Sequence, residues 1–135
     1  ARNLDAPEIV PGGSSVAFSI ASRYGTYQGL AALRASGGAG EAITDEGIFE
    51  AQRRLGSDEG LFVEPSSAAA LAAVLQLTAR RALDPDQVVV LVLTSSGLKD
   101  PGASRAWLPP VPAAPADLHG LLRVLHESYG LELGD

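Results

Sequence analysis

Two short clusters carry most of the side chains able to do chemistry. Glu64-Pro65-Ser66-Ser67 sets a carboxylate just ahead of a helix start and two hydroxyls over its first turn. Free backbone amides and the positive end of the helix dipole favour acceptor and anionic groups there. Thr94-Ser95-Ser96 closes the apolar run Val88–Leu93. In open α/β sheets the ligand crevice lies just outside such carboxyl ends of strands. The two clusters are therefore expected to face one pocket, although each has a plain structural reading: Ser66 caps a helix and Thr94 ends a strand. Lys99 follows shortly, the only lysine among 135 residues, which raises the question of a reactive amine at the mouth of a site.

Other candidates are weaker. His119 and His126 are seven residues apart and share a helix face, but no third ligand accompanies them, so no metal site is expected. The run Gly37-Gly38-Ala39-Gly40 reads as a helix stop and not as a phosphate cradle. There is no cysteine, hence no disulfide and no thiolate nucleophile.

The elements that must position these clusters follow from the pattern. Residues 1–14, with Pro7, Pro11, Gly12 and Gly13, read as an extended leading segment. A helix is expected from Ser14 or Ser15, placing Val16, Ile20 and Tyr24 on one face, and a second over "TYQGLAALRAS" stopped by Gly37. "EAI" and "GLFV" read as short strands on either side of a helix capped by Thr44, with Ile48, Phe49, Gln52 and Leu55 turned inward. Pro65 opens an alanine-rich helix through "SSAAALAAVLQLTARRAL", close against a neighbour. Val88–Leu93 has no alternation and reads as a strand covered on both faces. Strand, helix, strand, helix, strand predicts an α/β three-layer sandwich with a parallel sheet. Residues 15–103 form this body. Residues 104–135 are a proline-rich linker and a final amphipathic helix with Leu118, Leu121, Leu122 and Leu125 together.

Bulk composition narrows the function. The net charge of −6 and nine scattered arginines offer no footprint for a phosphate backbone, so no nucleic-acid partner is expected. No run approaches the roughly 18 apolar residues of a membrane-spanning helix. The absence of a leader-like run makes a cytoplasmic location the default expectation.

The stretch "GEAITDEGIFEAQRRLGSDEGLFVEPSSAAALAAV" followed by "QVVVLVLTSSGLKDP" resembles the C-terminal part of the threonine synthases. These belong to the fold-type II pyridoxal-phosphate (PLP) enzymes, with tryptophan synthase β and the serine and threonine dehydratases. The likeness runs from about Ser15 to Pro101. It implies the incomplete large domain of such an enzyme, with Thr94 at the ring nitrogen of PLP, Ser95 beside it, and Glu64, Ser66 and Ser67 lining the ring. A neutral hydroxyl at that nitrogen, unlike an aspartate, does not hold a proton on it; the ring is a weaker electron sink, suited to elimination or replacement at the β or γ carbon of an amino acid. The chain departs from the family at Ser95 and Ser96, where Gly-His is common.

The resemblance places Lys99 in the "GLKD" that follows the cofactor contact, and gives it a structural role, an ion pair with Asp100 or another surface acid. The Schiff-base lysine and phosphate loop belong to family segments ahead of this stretch, so no catalytic residue is expected within these 135 residues. The implied protein is a C-terminal section or subunit that takes up PLP only when completed by a partner chain; the expected partner is a separate N-terminal section, or further copies in a homo-oligomer. The other expectation is a non-catalytic interaction or regulatory protein derived from the family, without PLP.

Overall fold

The computed structural model describes residues 9–105 and 107–132. The first eight residues of the expected leading segment, Ala106 of the linker and the last three residues lie outside that description. The chain forms two compact units, one running to Ser104 and one from Arg105 onward.

The first unit is built on two helices, α2 (Asp45–Glu59) and α3 (Pro65–Ala79), packed against each other. Thr44 caps α2, its Oγ1 accepting the Gly47 amide at 3.1 Å, and Asp45 and Glu46 add negative charge where the dipole favours it. The helix ends at Gly60, whose φ of 68° is the left-handed conformation glycine adopts without strain. Ile48, Ala51, Gln52 and Leu55 make its buried stripe. Ala51, Ala68 and Ala72 join Ile48, Leu55 and Val63 in the core, so small side chains let the two backbones approach. On the solvent face Glu50 takes Arg53 and Arg54. The Arg53 hydrogen bond comes first among the causes that hold the Glu50 carboxyl below its usual range.

Pro65 opens α3 as the sequence predicts, but the helix stops at Ala79 and not at Leu83, with Arg81 in a left-handed conformation at φ 54°. The expected helix from Ser14 or Ser15 is absent. In its place stands a single 3-10 turn over Phe18–Ile20 with no side-chain cap, and the residues before it are bound to α2. Ser15 Oγ donates to Asp45 Oδ1 at 2.8 Å, and the Val16 amide reaches the same carboxylate at 3.3 Å. The segment becomes an arm fastened to the start of α2. The helix over "TYQGLAALRAS" forms as α1 (Tyr27–Ser36), capped by Thr26 and by Gly37 in the left-handed conformation, with no buried residue.

The predicted parallel sheet is not formed among the described residues. The pairings are two isolated antiparallel bridges, Ile9 with Tyr24 and Val63 with Ser96. "EAI" is instead tied to α3, through Gln76 Nε2 to the Ala42 carbonyl at 3.1 Å and Arg80 to Glu41 at 2.6 Å. Among the described residues Val88–Leu93 takes part in no strand ladder. It is not covered on both faces either: Val88, Val90 and Val92 are 92%, 81% and 71% exposed, whereas Leu93 packs on the core. Exposure alternating in this way is that of a pleated segment, joined to the core at Leu93.

After the strand-like run, a 3-10 turn over Gly97–Lys99 leads into α4 (Pro101–Ser104), neither of which the sequence pattern announced. Gly97 is buried, and a Cβ there would lie 2.6 Å from the Phe62 ring. Gly97→Ala is accordingly expected to cost about 1–3 kcal/mol through overpacking, read as a lower urea midpoint at unchanged slope.

The second unit holds α5 (Leu118–Tyr129), capped by Asp117 at the Gly120 amide (2.7 Å) and by Gly130 at φ 64°. Gly120 meets the Pro115 ring so closely that a Cβ would fall 2.7 Å from it, which fixes how the proline-rich stretch enters the helix. His126 Nε2 approaches Glu132 at 4.0 Å, and among the described residues no three groups are placed to hold a metal. No described helix is long and apolar enough to cross a membrane.

Candidate functional site

Two backbone contacts bring the chemically equipped clusters together. The Glu64 amide donates to the Ser95 carbonyl at 3.1 Å, and the Gly97 amide donates to Phe62 at 3.0 Å. The short antiparallel crossing at Val63 and Ser96 thus places the start of α3 against the end of the Val88–Leu93 run. Gln52, with no exposed surface, holds this crossing from below. Its Nε2 donates to the Val63 carbonyl at 2.7 Å and lies 3.4 Å from Ser104 Oγ. A buried amide satisfied in this way fixes the backbone that leads into Glu64.

The five residues expected at the cofactor divide into two groups. Ser67, Thr94 and Ser95 form one: Ser67 Oγ lies 3.1 Å from Thr94 Oγ1 and accepts the Ser95 amide at 3.0 Å. Ser67 is 2% exposed, whereas Thr94 is open to solvent. Glu64 and Ser66 form the other group, and both are engaged by the arm. Ser66 Oγ accepts the Ser19 amide at 3.1 Å, and Ser19 Oγ donates to Glu64 Oε2 at 3.3 Å. Lys99 completes this second group, its Nζ 3.2 Å from Glu64 Oε2 and 3.0 Å from Ser19 Oγ, with the Phe18 ring centroid at 5.7 Å.

Lys99 pairs with an acid as expected, but the partner is neither Asp100 nor a surface group: Glu64 is 2% exposed. Ser19 is a site residue that the sequence does not announce, because its partners stand 45 and 47 positions away and no local pattern encodes such a contact. A concavity of about 510 Å³ lined by Ala17, Ile20, Ile43, Ala69 and Leu77, among others, includes none of the five expected residues and offers mostly apolar walls.

The donor set near Thr94 is one of neutral hydroxyls and backbone amides. The nearby carboxylate of Glu64 is occupied by Lys99 and Ser19. Such a surface can donate a hydrogen bond to a neutral acceptor without supplying a fixed proton, which is the chemistry a pyridine nitrogen requires if it is to stay unprotonated. The residues present fit that ring.

The family described as "Pyridoxal-phosphate dependent enzyme" matches residues 4–95, and the chain belongs to that family. Within it the chain is threonine synthase-like. It is 39% identical over 127 residues to threonine synthase of Methanocaldococcus jannaschii, covering 90% of this chain and 31% of that protein. It is 39% identical over 95 residues to the Methanosarcina acetivorans enzyme, covering 70% and 24%. Against the Synechocystis enzyme it is 46% identical over 76 residues, covering 53% and 18%. The chain therefore spans about a third or less of the length of these relatives. Membership implies an α/β family fold, of which the described residues show the helices but no sheet.

Proposed function

We propose that these residues form the C-terminal section of a threonine synthase-like PLP-dependent enzyme acting by elimination or replacement at the β or γ carbon of an amino acid. The N-terminal section of the enzyme supplies the Schiff-base lysine and the phosphate loop. The observation that carries the reading is the 3.1 Å contact between Ser67 and Thr94, which joins the two clusters read as one site.

Thr94 would hold the ring nitrogen through a hydrogen bond from its hydroxyl, with Ser95 beside it. Bound there, the cofactor supplies an electron sink for charge developing on the substrate. Ser66 and Glu64 serve the ring indirectly. Their hydroxyl and carboxylate hold the arm at Ser19, and so fix the wall that the arm presents next to the start of α3. Lys99 neutralises Glu64, keeping a negative charge from competing for the proton near the ring.

The bare face of Val88, Val90 and Val92 supports the need for the other section. Three alternate outward valines on a strand-like segment that pairs with no strand among the described residues call for a neighbouring strand and a covering layer.

The test is to purify this section with and without its co-expressed N-terminal section and record the visible absorption. A lysine-bound cofactor band present only in the complex, and lost when the lysine of the N-terminal section is replaced, is the expected result. A colourless complex, or a section that ignores the N-terminal section, overturns the proposal in favour of a non-catalytic relative that no longer takes PLP.

A further inference from the structure

The Ser67 hydroxyl is 2% exposed and has two polar neighbours among the described residues, the Ser95 amide at 3.0 Å and Thr94 Oγ1 at 3.1 Å. A backbone N–H can only donate, so the Ser67 oxygen accepts from Ser95. The single Ser67 proton then needs an acceptor, and among the described residues Thr94 Oγ1 is the one within reach. A buried hydroxyl left without an acceptor is unfavourable, so Ser67 donates and Thr94 accepts. The Thr94 proton is thereby left free, on a residue that is itself exposed.

We propose that Ser67 is the positioning residue that sets the hydrogen-bonding sense of Thr94. Ser95 N–H donates to Ser67, Ser67 O–H donates to Thr94, and Thr94 O–H is left for a group arriving from solvent. Each bond in such a chain polarises the next, which makes the terminal hydroxyl a better donor than an isolated threonine. The preferred recipient is a neutral acceptor. A ring nitrogen meeting this hydroxyl is hydrogen-bonded and kept without a proton of its own. The inference rests on the proposed function, since it needs that ring at Thr94. It goes further by assigning to Ser67 an effect on the ring nitrogen exerted entirely through its neighbour.

The test uses the complex with the N-terminal section, loaded with PLP carrying ¹⁵N at the ring nitrogen. The ¹⁵N shift reports hydrogen bonding and protonation directly, and a cofactor titration gives affinity. In the unaltered complex the signal is expected at a hydrogen-bonded, unprotonated position. Thr94→Val moves it to that of free unprotonated pyridine, Thr94→Ser retains it, and Ser67→Ala moves it most of the way towards the Thr94→Val position, with affinity for PLP falling about tenfold. Ser67→Cys keeps the side-chain shape with a weaker donor and a slightly larger atom, and keeps the test open if the alanine variant fails to fold; its signal is expected between the two extremes. If Thr94→Val moves the signal while both Ser67 variants leave it in place, the positioning role is overturned and the cofactor site stands. If the unaltered complex shows a free or protonated ring nitrogen, the site at Thr94 falls, and the role of Ser67 with it.

Discussion

Val90→Asp leaves the stability of this section alone within about 0.5 kcal/mol and weakens its assembly with the N-terminal section by more than a hundredfold. The first half follows from exposure: Val90 is 81% exposed, and the segment around it has no pairing to lose among the described residues. The second half follows from what assembly must bury. Covering a valine contributes about 1.5–3 kcal/mol. A carboxylate in the same place forfeits that contribution and adds a desolvation penalty of several kcal/mol. Aspartate is also too short to carry its charge out to water, as a lysine could. Together these exceed the roughly 2.7 kcal/mol that corresponds to a hundredfold change. Denaturant unfolding of the section and titration calorimetry of the complex separate the halves, and Val90→Ile serves as the control that keeps the apolar face. Undiminished assembly of the aspartate variant would mean that this face is not where the N-terminal section sits.

The second large effect concerns the lysine. Lys99→Ala is expected to destabilise the section by about 2 kcal/mol. Fully buried pairs broken on one side lose more, but water reaches Lys99, whose side chain is 49% exposed, and so offsets part of the loss. What remains is the cost of leaving Glu64, at 2% exposure, with Ser19 as its nearby donor at 3.3 Å. The same reasoning gives a sign that a simple loss of packing does not. Adding Glu64→Gln to the Lys99→Ala variant removes the uncompensated charge, so the double variant is more stable than the single one. Urea melts of the two single variants and the double variant supply the cycle. A Lys99→Ala variant within about 0.5 kcal/mol of the parent would return the lysine to the role of an ordinary surface pair.

The same pair shows where reading from sequence stops. The place of Lys99 in "GLKD" led to the expectation of an ion pair with an acid, and Lys99 does pair with one. Its true partner was not legible, because Glu64 lies 35 positions earlier and is reached only once Val63 and Ser96 cross. The arm gives a parallel case. Ser14 and Ser15 have the chemistry of a helix cap, and local propensity predicts a helix after them. A carboxylate 30 residues away, Asp45, captures the Ser15 hydroxyl, and the long-range bond prevails over a short helix whose nucleation is unfavourable.

Local chemistry sufficed wherever the deciding contact spans a few residues. The cap at Thr44, the glycine stop at Gly37 and Pro65 at the head of α3 are written in adjacent positions, because a hydroxyl, a missing Cβ or a closed ring acts within one turn. That "EPSS" and "TSS" should meet was an expectation from the place of each motif at a helix start and a strand end, not from local chemistry. Their contact was a matter of tertiary structure: only the crossing at Val63 and Ser96, held by Gln52, sets Ser67 3.1 Å from Thr94 and turns Glu64 toward Lys99. The fate of Val88–Leu93 was likewise beyond sequence. An apolar run states that it must be covered, but a strand's partner lies across a gap that its own residues do not encode, and only the folded arrangement reveals which of its faces the core covers and which it leaves bare.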